Sequence, residues 1–435
     1  MQKRNALLIL ILFFINIAYA AEIDSSVEEE LNDKASVSVI VVLEDAESSK
    51  AKGISSIFEQ RKSKIKEQQE KVLGSLEVKS FEQQAKKEVK SLNSEEYDIM
   101  LKHKYSTINS FSGEITQKGL EKLRKNPNVK SVIINGRKEL FLDVSVPMIN
   151  ASSTWGYVYN NTNITGKGET VCVIDSGVDY THPNLGDCSR TTNINDGSCD
   201  KIIGGYDYVN NDNDPFDGQG HGTHIAGIII SNHTNYTGVA PDTKLVAIKA
   251  CTDDANSICM DNDIIASIDW CVNNALTYNI SVITMSLGGG LFDSYCDNVS
   301  LESNFKTAIN IAVLNNITVT VATGNNNGGE ELISSPACIQ NATAIGAVND
   351  IDVIQFNRNS ITDLLAPGKF IYSTYLTNTF NEQSGTSMAA PHAAGAFALL
   401  NQFYKNQFEQ TPVPSVLEDA LNDTGKNIID GANTY

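Results

Sequence analysis

In the segment Val171-Cys172-Val173-Ile174-Asp175-Ser176-Gly177, four apolar residues lead directly to a carboxylate. Such a run predicts a short buried strand. Comparable runs lie at 245–249, 282–285 and 318–322, and helix-favouring stretches lie between them at 263–274 and 304–314. This alternation predicts an α/β domain in which a mostly parallel sheet lies between two layers of helices.

Asp175 lies where chemistry is expected in such a sheet, since reactive groups collect at the carboxyl ends of parallel strands. A carboxylate that follows four apolar residues is partly buried and needs a hydrogen-bond donor, for which an imidazole is well suited. The alternative is an ordinary helix N-cap, a common role for Asp.

His221 opens the segment His221-Gly222-Thr223-His224, where a glycine-rich loop enters an apolar helical stretch. A histidine in this place can act as a general base if another group orients its second ring nitrogen. His224 is an alternative base, and two nearby histidines could instead bind a metal. The HExxH spacing of zinc peptidases is absent, which disfavours the metal interpretation.

Ser387 lies in Gly385-Thr386-Ser387-Met388-Ala389-Ala390-Pro391. A helix that begins here directs free N–H groups and its positive dipole end towards an oxyanion. The alternative is a serine that merely caps the helix. The segment is not the GxSxG motif of α/β-hydrolases, because position 389 is alanine.

Together and in this order, the three segments resemble those of the subtilisin-like serine peptidases. Asp175 and His221 are 46 residues apart, and His221 and Ser387 are 166 apart, which is compatible with that family. The resemblance implies a subtilisin-like three-layer fold with these three residues as the catalytic triad.

Two further segments are similar to segments of the same family. The first, residues 321–325, resembles the oxyanion strand, which implies that the Asn325 amide and the Ser387 backbone N–H stabilise the tetrahedral intermediate. The second, residues 285–289, resembles the strand that pairs with substrate backbone. Substrate contacts are therefore expected from Ser286, Leu287 and Gly288.

Residues 21–141 differ from the rest, with many Lys and Glu and no cysteine. Strands are predicted at 37–43, 105–115 and 129–134, and helices at about 54–92 and at 118–125. This order predicts a small α+β domain of ferredoxin-like type. By resemblance to the family it is an inhibitory propeptide, which leaves 142–435 as the peptidase domain.

The propeptide is expected to be cut between about 137 and 145, by resemblance to the family. Arg137-Lys138 favours a basic cleavage site, whereas Phe141 and Leu142 favour an apolar one. The sequence leaves both open.

The first 20 residues predict a signal peptide, because Lys3 and Arg4 precede an apolar run and Ala18-Tyr19-Ala20 suits cleavage after Ala20. A transmembrane anchor is the alternative, although the run is short for a bilayer span. A signal peptide implies a secreted or extracytoplasmic protein without membrane contact after its removal.

All eight cysteines lie at or after position 172, and an even number in an exported chain suggests disulfides. Cys172 lies within an apolar strand pattern and is expected to be a buried thiol. Proximity suggests three pairs: Cys188 with Cys199, Cys251 with Cys259, and Cys296 with Cys338.

A dense acidic loop, residues 207–217, precedes His221. Closely spaced Asp and Asn oxygens suit calcium, a hard ion that takes about six to eight oxygen ligands. The loop resembles a calcium loop of some thermostable members of the family at Asp207, Asp212 and Asp214, which implies a structural calcium ion. Asn210 replaces a carboxylate expected there, and the alternative is a solvated acidic turn.

These features predict a secreted serine endopeptidase that is made as a self-processing zymogen and hydrolyses polypeptides through an acyl-enzyme. Its partners are then polypeptide substrates and its own propeptide, and a monomer is expected. The formal net charge of −19 argues against nucleic acid as a partner. The alternatives are a non-catalytic surface protein with this fold and a lipase or esterase with the same triad.

Overall fold

The computed structural model describes residues 21–44, 54–80, 97–140, 151–159, 161–186, 188–189, 194–254, 257–325, 331–430 and 433–434. The predicted signal peptide lies outside these residues. Among them, no helix combines the length and the apolar character that a bilayer span requires.

The N-terminal domain is a six-stranded sheet with the order β1-β6-β2-β5-β4-β3. Its strands are β1 (Glu22–Ile23), β2 (Val37–Leu43), β3 (Val78–Ser80), β4 (Ile99–Lys104), β5 (Ser110–Ile115) and β6 (Val129–Ile134), and its helices are α1 (Ser25–Asp33), α2 (Ile54–Leu73) and α3 (Gln117–Arg124). The four central strands pair antiparallel. Their order along the chain, β2-α2-β4-β5-α3-β6, is the predicted ferredoxin-like pattern.

The N-terminal domain differs from the prediction in three places. The strand predicted over 105–115 begins only at Ser110, and the separate strand β4 before it was not predicted. The helix predicted over 54–92 ends at Leu73, before Gly74, and β3 follows; residues 81–96 lie outside the described residues. Gly74 disfavours continuation of the helix, but the charged, helix-favouring composition of residues 54–92 predicted a single long helix. Neither β1 nor α1 was predicted, because they are short and stabilised by the sheet: β1 pairs with β6, and α1 buries Val27 and Leu31.

The remaining strands are β7, which ends the N-terminal domain outside its six-stranded sheet, and the strands of the second domain. They are β7 (Arg137–Leu140), β8 (Val158–Tyr159), β9 (Thr162–Asn163), β10 (Thr170–Asp175), β11 (Ile202–Asp207), β12 (Lys244–Lys249), β13 (Ile258–Met260), β14 (Ile280–Met285), β15 (Leu287–Phe292), β16 (Thr318–Ala322), β17 (Ile333–Ser335), β18 (Thr343–Val348), β19 (Ile354–Gln355), β20 (Leu364–Pro367), β21 (Ile371–Tyr375), β22 (Thr379–Gln383), β23 (Ile429–Asp430) and β24 (Asn433–Thr434). The helices are α4 (Ala151–Trp155), α5 (His221–Ile230), α6 (Asp261–Asn273), α7 (Ala275–Tyr278), α8 (Ser303–Leu314), α9 (Thr386–Phe408) and α10 (Pro414–Thr424).

The central sheet has the order β11-β12-β10-β14-β16-β18-β19, with β20 also paired to β18. All its pairs are parallel except β18 with β19. Every residue of β10 is buried: Cys172 and Ile174 pack in the core that includes α6 and α8, whereas Val171 and Val173 pack in the core that includes α5 and α9. The predicted three-layer α/β architecture is confirmed.

Four disulfides stabilise this domain. The three pairs suggested by proximity are present, as Cys188–Cys199, Cys251–Cys259 and Cys296–Cys338. The expectation of a free Cys172 thiol is wrong, because Cys172 is bonded to Cys271. Cys172 lies on the face of β10 that packs against α6, which carries Cys271, and a contact between residues 99 positions apart is not visible in the sequence.

Candidate active site

Asp175 and His221 meet at the carboxyl end of the central sheet. Asp175 ends β10 and His221 begins α5. Asp175 Oδ1 lies 2.7 Å from His221 Nδ1 and accepts the Ser176 backbone N–H at 2.8 Å. Both side chains are buried, and the next helical turn begins only at Pro183, so the N-cap alternative for Asp175 is wrong. Asp175 can therefore hold the tautomer and orientation of the imidazole.

His224 lies one turn further along α5 and has other partners. Its Nε2 lies 3.1 Å from the carbonyl oxygens of Ile371 and Asn381. Burial, followed by the charge of His221, lowers the pKa of His224 to about 3, so it is neutral at neutral pH. In the described part of the chain, no group of three or more His, Cys, Asp or Glu could hold a metal. His224 thus connects α5 to β21 and β22.

Ser387 is the second residue of α9 and is buried. Its Oγ donates to the Ser286 carbonyl at 3.2 Å, and the Ser286 hydroxyl donates back to the Ser387 carbonyl at 2.7 Å. No side-chain hydrogen bond caps α9, so the capping alternative for Ser387 is wrong. The reciprocal pair holds the serine beside the strand that resembles a substrate-binding strand.

Asn325 follows β16 and has a fixed amide. Its Oδ1 accepts from the Thr386 backbone N–H at 2.8 Å and from the Thr386 hydroxyl at 3.1 Å. Its Nδ2 is buried and has no hydrogen-bond partner among the described residues. A Cβ at Gly385 would lie 2.7 Å from this nitrogen, so a glycine is needed there. The amide therefore retains unused N–H donors beside the start of α9.

Strand β7, the last of the N-terminal domain, lies between two strands of the second domain. It pairs antiparallel with β15, with Leu140 opposite Leu287 and Glu139 opposite Gly288. On its other side it pairs antiparallel with β13. The N-terminal domain therefore presents an extended segment to the strand that begins one residue after Ser286.

Two carboxylates of α6 bind the N-terminal domain. Asp263 lies 2.7 Å from His103 Nε2 and 2.9 Å from Lys102 Nζ. Asp269 accepts the backbone N–H groups of Ser106 at 3.1 Å and Thr107 at 2.8 Å, and both hydroxyls also donate to it. Acidic contacts therefore hold the two domains together away from β7.

The acidic loop does not assemble the predicted calcium site. Both oxygens of Asp207 accept from Asn210, from its backbone N–H and its side-chain amide, each at 2.8 Å. Asp212 accepts the Asp214 backbone N–H at 2.8 Å, and Asp214 accepts the Tyr180 hydroxyl at 2.5 Å. In the part of the chain that the structure describes, no three acidic, histidine or cysteine side chains are grouped so that they could hold a metal ion, so these three carboxylates do not converge on one site.

Three acidic residues with specific contacts were not identified from the sequence. Asp217, Asp263 and Asp269 lie in charged or helical stretches where an acidic residue usually faces solvent. The structure buries all three. Burial depends on which segments pack together, and no local sequence signal distinguishes these residues from solvated ones.

Comparison with known proteins agrees with this architecture. Residues 166–433 match the family model described as Subtilase family, and residues 38–140 match that described as Peptidase inhibitor I9. The first match covers more than half of the chain. The chain therefore belongs to the subtilase family of serine proteases and carries an I9-type propeptide domain.

Individual relatives show the extent of the similarity. The chain is 37% identical over 264 residues to the thermophilic serine proteinase of Bacillus sp. (strain AK1). The aligned residues are 60% of this chain and 58% of that protein. It is 32% identical over 295 residues to subtilisin DY of Bacillus licheniformis. This alignment covers 66% of this chain and 92% of that protein. A solved cold adapted subtilisin-like serine proteinase has a TM-score of 0.49 at 32% identity, covering 60% of this chain and 82% of that chain.

Proposed function

We propose that the chain is a secreted serine endopeptidase that processes its own precursor and then hydrolyses polypeptides. The observation that carries the proposal is β7, an extended peptide that pairs with β15 next to Ser286, the residue hydrogen-bonded to Ser387. An endopeptidase must hold its substrate as such a strand. The chemical groups in this proposal all belong to one chain, so activity as a monomer is expected.

The first half of the reaction acylates the enzyme. Ser387 Oγ attacks the scissile carbonyl carbon, and its proton passes to His221 Nε2, while Asp175 holds the Nδ1–H. The carbonyl oxygen becomes an oxyanion, which accepts hydrogen bonds from Asn325 Nδ2 and the Ser387 backbone N–H. The His221 proton then passes to the leaving amine as the peptide bond breaks.

The second half releases the product. Water enters in place of the amine and gives a proton to His221, and its oxygen attacks the ester carbon of the acyl-enzyme. The same donors stabilise the second oxyanion. As this intermediate collapses, the bond from the ester carbon to Ser387 Oγ breaks, Oγ takes the proton from His221, and the product leaves as a carboxylic acid that ionises in water.

We expect the first cut at the Phe141–Leu142 bond. A substrate that continues the register of β7 would place the residue after Leu140 opposite Ser286, whose carbonyl is 3.2 Å from Ser387 Oγ. The bond lies outside the described residues but within the predicted range of 137–145. N-terminal sequencing of the mature enzyme should begin at Leu142, and another N-terminus would contradict this register.

A fluorophosphonate probe tests the nucleophile. Processed wild-type enzyme should be labelled on Ser387, and the Ser387→Ala precursor should remain both unlabelled and uncut. Folded, processed wild-type protein that is not labelled would exclude this mechanism. A Ser387→Ala precursor that still matures alone would refute self-processing.

A lipase or esterase with the same triad is the alternative enzyme. The pairing of β7 favours a peptidase, because simple esters need no strand partner. Purified enzyme should therefore cleave unfolded protein and internally quenched peptides. Hydrolysis of simple esters without any cleavage of these substrates would favour the esterase.

Secretion is supported by the predicted signal peptide and by the disulfides, which persist in oxidising compartments. The Ser387→Ala precursor made in its native host should appear outside the cytoplasm with Ala21 as its first residue. A chain retained in the cytoplasm that begins at Met1 would contradict secretion.

A further inference from the structure

Asp217 lies in the loop before α5, and its side chain is completely buried. Its Oδ1 accepts from Ser176 Oγ at 3.0 Å, Gln219 N at 2.9 Å and Gly220 N at 2.8 Å. Its Oδ2 accepts from the Thr223 backbone N–H at 2.9 Å and the Thr223 hydroxyl at 2.6 Å. Five hydrogen bonds therefore converge on one buried carboxylate.

The donors come from the two segments that carry Asp175 and His221. Ser176 directly follows Asp175, and its hydroxyl also accepts the Gly222 backbone N–H at 2.9 Å. Thr223 lies in the first turn of α5, two residues after His221. The carboxylate thus bridges the end of β10 to the start of α5, beside the 2.7 Å contact between Asp175 and His221.

The carboxylate also takes the place of a helix cap. The N-cap of α5 is Gly220, with φ 104° and no capping side chain. Asp217 accepts the Thr223 N–H instead, and its charge is favourable at the positive end of a helix. An amide at this position would convert one acceptor into a donor, so at least two of the five donors would lose their partner.

We infer that Asp217 is a positioning residue, which holds Asp175 and His221 in hydrogen-bonding geometry through Ser176 and Thr223. This inference rests on the proposed function. A misplacement of about 1 Å in reacting groups can cost about 10²-fold in rate. No hydrogen bond joins Asp217 to β13 or β15 in the described residues, so its loss should affect turnover rather than substrate binding.

The test compares self-processing of the wild-type precursor with that of Asp217→Asn, Ser176→Ala and the double variant. Self-processing is a single turnover that needs no added substrate, so its half-time reports the attack by Ser387. We expect the half-time to lengthen about 10²-fold in Asp217→Asn and about tenfold in Ser176→Ala. In processed enzyme, kcat should fall while KM changes by less than about twofold.

The double variant separates a shared bridge from two unrelated defects. Because Asp217 and Ser176 share one hydrogen bond and each makes others, the double variant should be slowed by less than the product of the two single effects. The control is Asp196→Asn, which alters an exposed carboxylate that accepts the Ser198 backbone N–H at 2.9 Å, and it should process like wild type.

Three outcomes would overturn the inference. The first is a folded Asp217→Asn precursor with the wild-type half-time. The second is slowing in the double variant that equals the product of the two single effects. The third is a loss of kcat/KM in processed Asp217→Asn that arises from a raised KM with unchanged kcat. If Asp217→Asn does not fold, as judged by thermal unfolding, folded Ser176→Ala with unchanged half-time overturns it. A wild-type precursor that neither processes itself nor cleaves peptides contradicts the proposed function instead.

Discussion

Replacing Asp269 with asparagine should release the propeptide without impairing the mature enzyme. Asp269 lies on α6 and is 9% exposed in the precursor. It accepts from the backbone N–H and the hydroxyl of both Ser106 and Thr107. None of the groups proposed for catalysis contacts it. Besides the Asn273 side-chain amide of its own helix, at 3.1 Å, the donors to Asp269 belong to the N-terminal domain.

The expected loss of propeptide affinity follows from the number of hydrogen-bond donors that lose their acceptor in Asp269→Asn. An asparagine offers one neutral oxygen where Asp269 offers two charged ones, so two of the four donors from the N-terminal domain lose their acceptor. A hydrogen bond to a charged group contributes about 1.5–3 kcal/mol, and water replaces part of it at the domain boundary. A net loss of about 3 kcal/mol corresponds to propeptide affinity about 10²-fold weaker.

The assay follows hydrolysis of a chromogenic peptide after processing and dilution. Wild-type enzyme should show a lag while the bound propeptide dissociates, and Asp269→Asn should shorten that lag with unchanged kcat and KM. The control is Asp293→Asn, an exposed carboxylate that contacts the Ser294 hydroxyl and should leave the lag unchanged. A wild-type lag in Asp269→Asn, or a mature variant with impaired kcat, would refute this reasoning.

Three further results are expected. Asn325→Leu should lower kcat by about 10²–10³-fold with little change in KM, the loss known for this donor in subtilisin, and an unchanged kcat would exclude its oxyanion role. Replacing Cys172 and Cys271 with serine should destabilise an uncut precursor by about 4–5 kcal/mol in guanidinium unfolding, since the bridge closes 99 residues, and an unchanged midpoint would contradict this. Burial raises the pKa of Asp363 to about 7, so the folded state loses stability as the pH rises from about 4 to 7. Asp363→Asn removes this loss and should therefore raise Tm more at about pH 8 than at about pH 5. Equal gains in Tm at the two pH values would refute this.

Much of the fold was accessible because its signals are local. The β-branched run 37–43 is β2, the run 129–134 is β6, and the helical stretch 304–314 is almost the whole of α8. These segments are long and strongly patterned. In contrast, β1 is two residues long and exists because β6 supplies its hydrogen-bond partners. No propensity of an isolated segment could have revealed it.

The candidate site likewise has features that local sequence predicts and features that depend on tertiary contacts. Asp175, His221, Ser387 and Asn325 lie in short segments whose residue types and order suggested their roles, and those roles remain predictions. The calcium interpretation also used a local pattern, but it depended on where each carboxylate points. In the structure, Asn210 donates to Asp207 with two N–H groups, which sequence spacing could not indicate.

The alternation of strands and helices, and the segments that carry the reactive residues, could be predicted from the sequence because both depend on residues close together in the chain. Long-range packing, in contrast, sets the Cys172–Cys271 bond, the position of β7 between β13 and β15, and the burial of Asp217 against five donors. The reason is physical: burial, disulfide pairing and the direction of a carboxylate depend on segments far apart in sequence, which become neighbours only when the sheet and its helices pack.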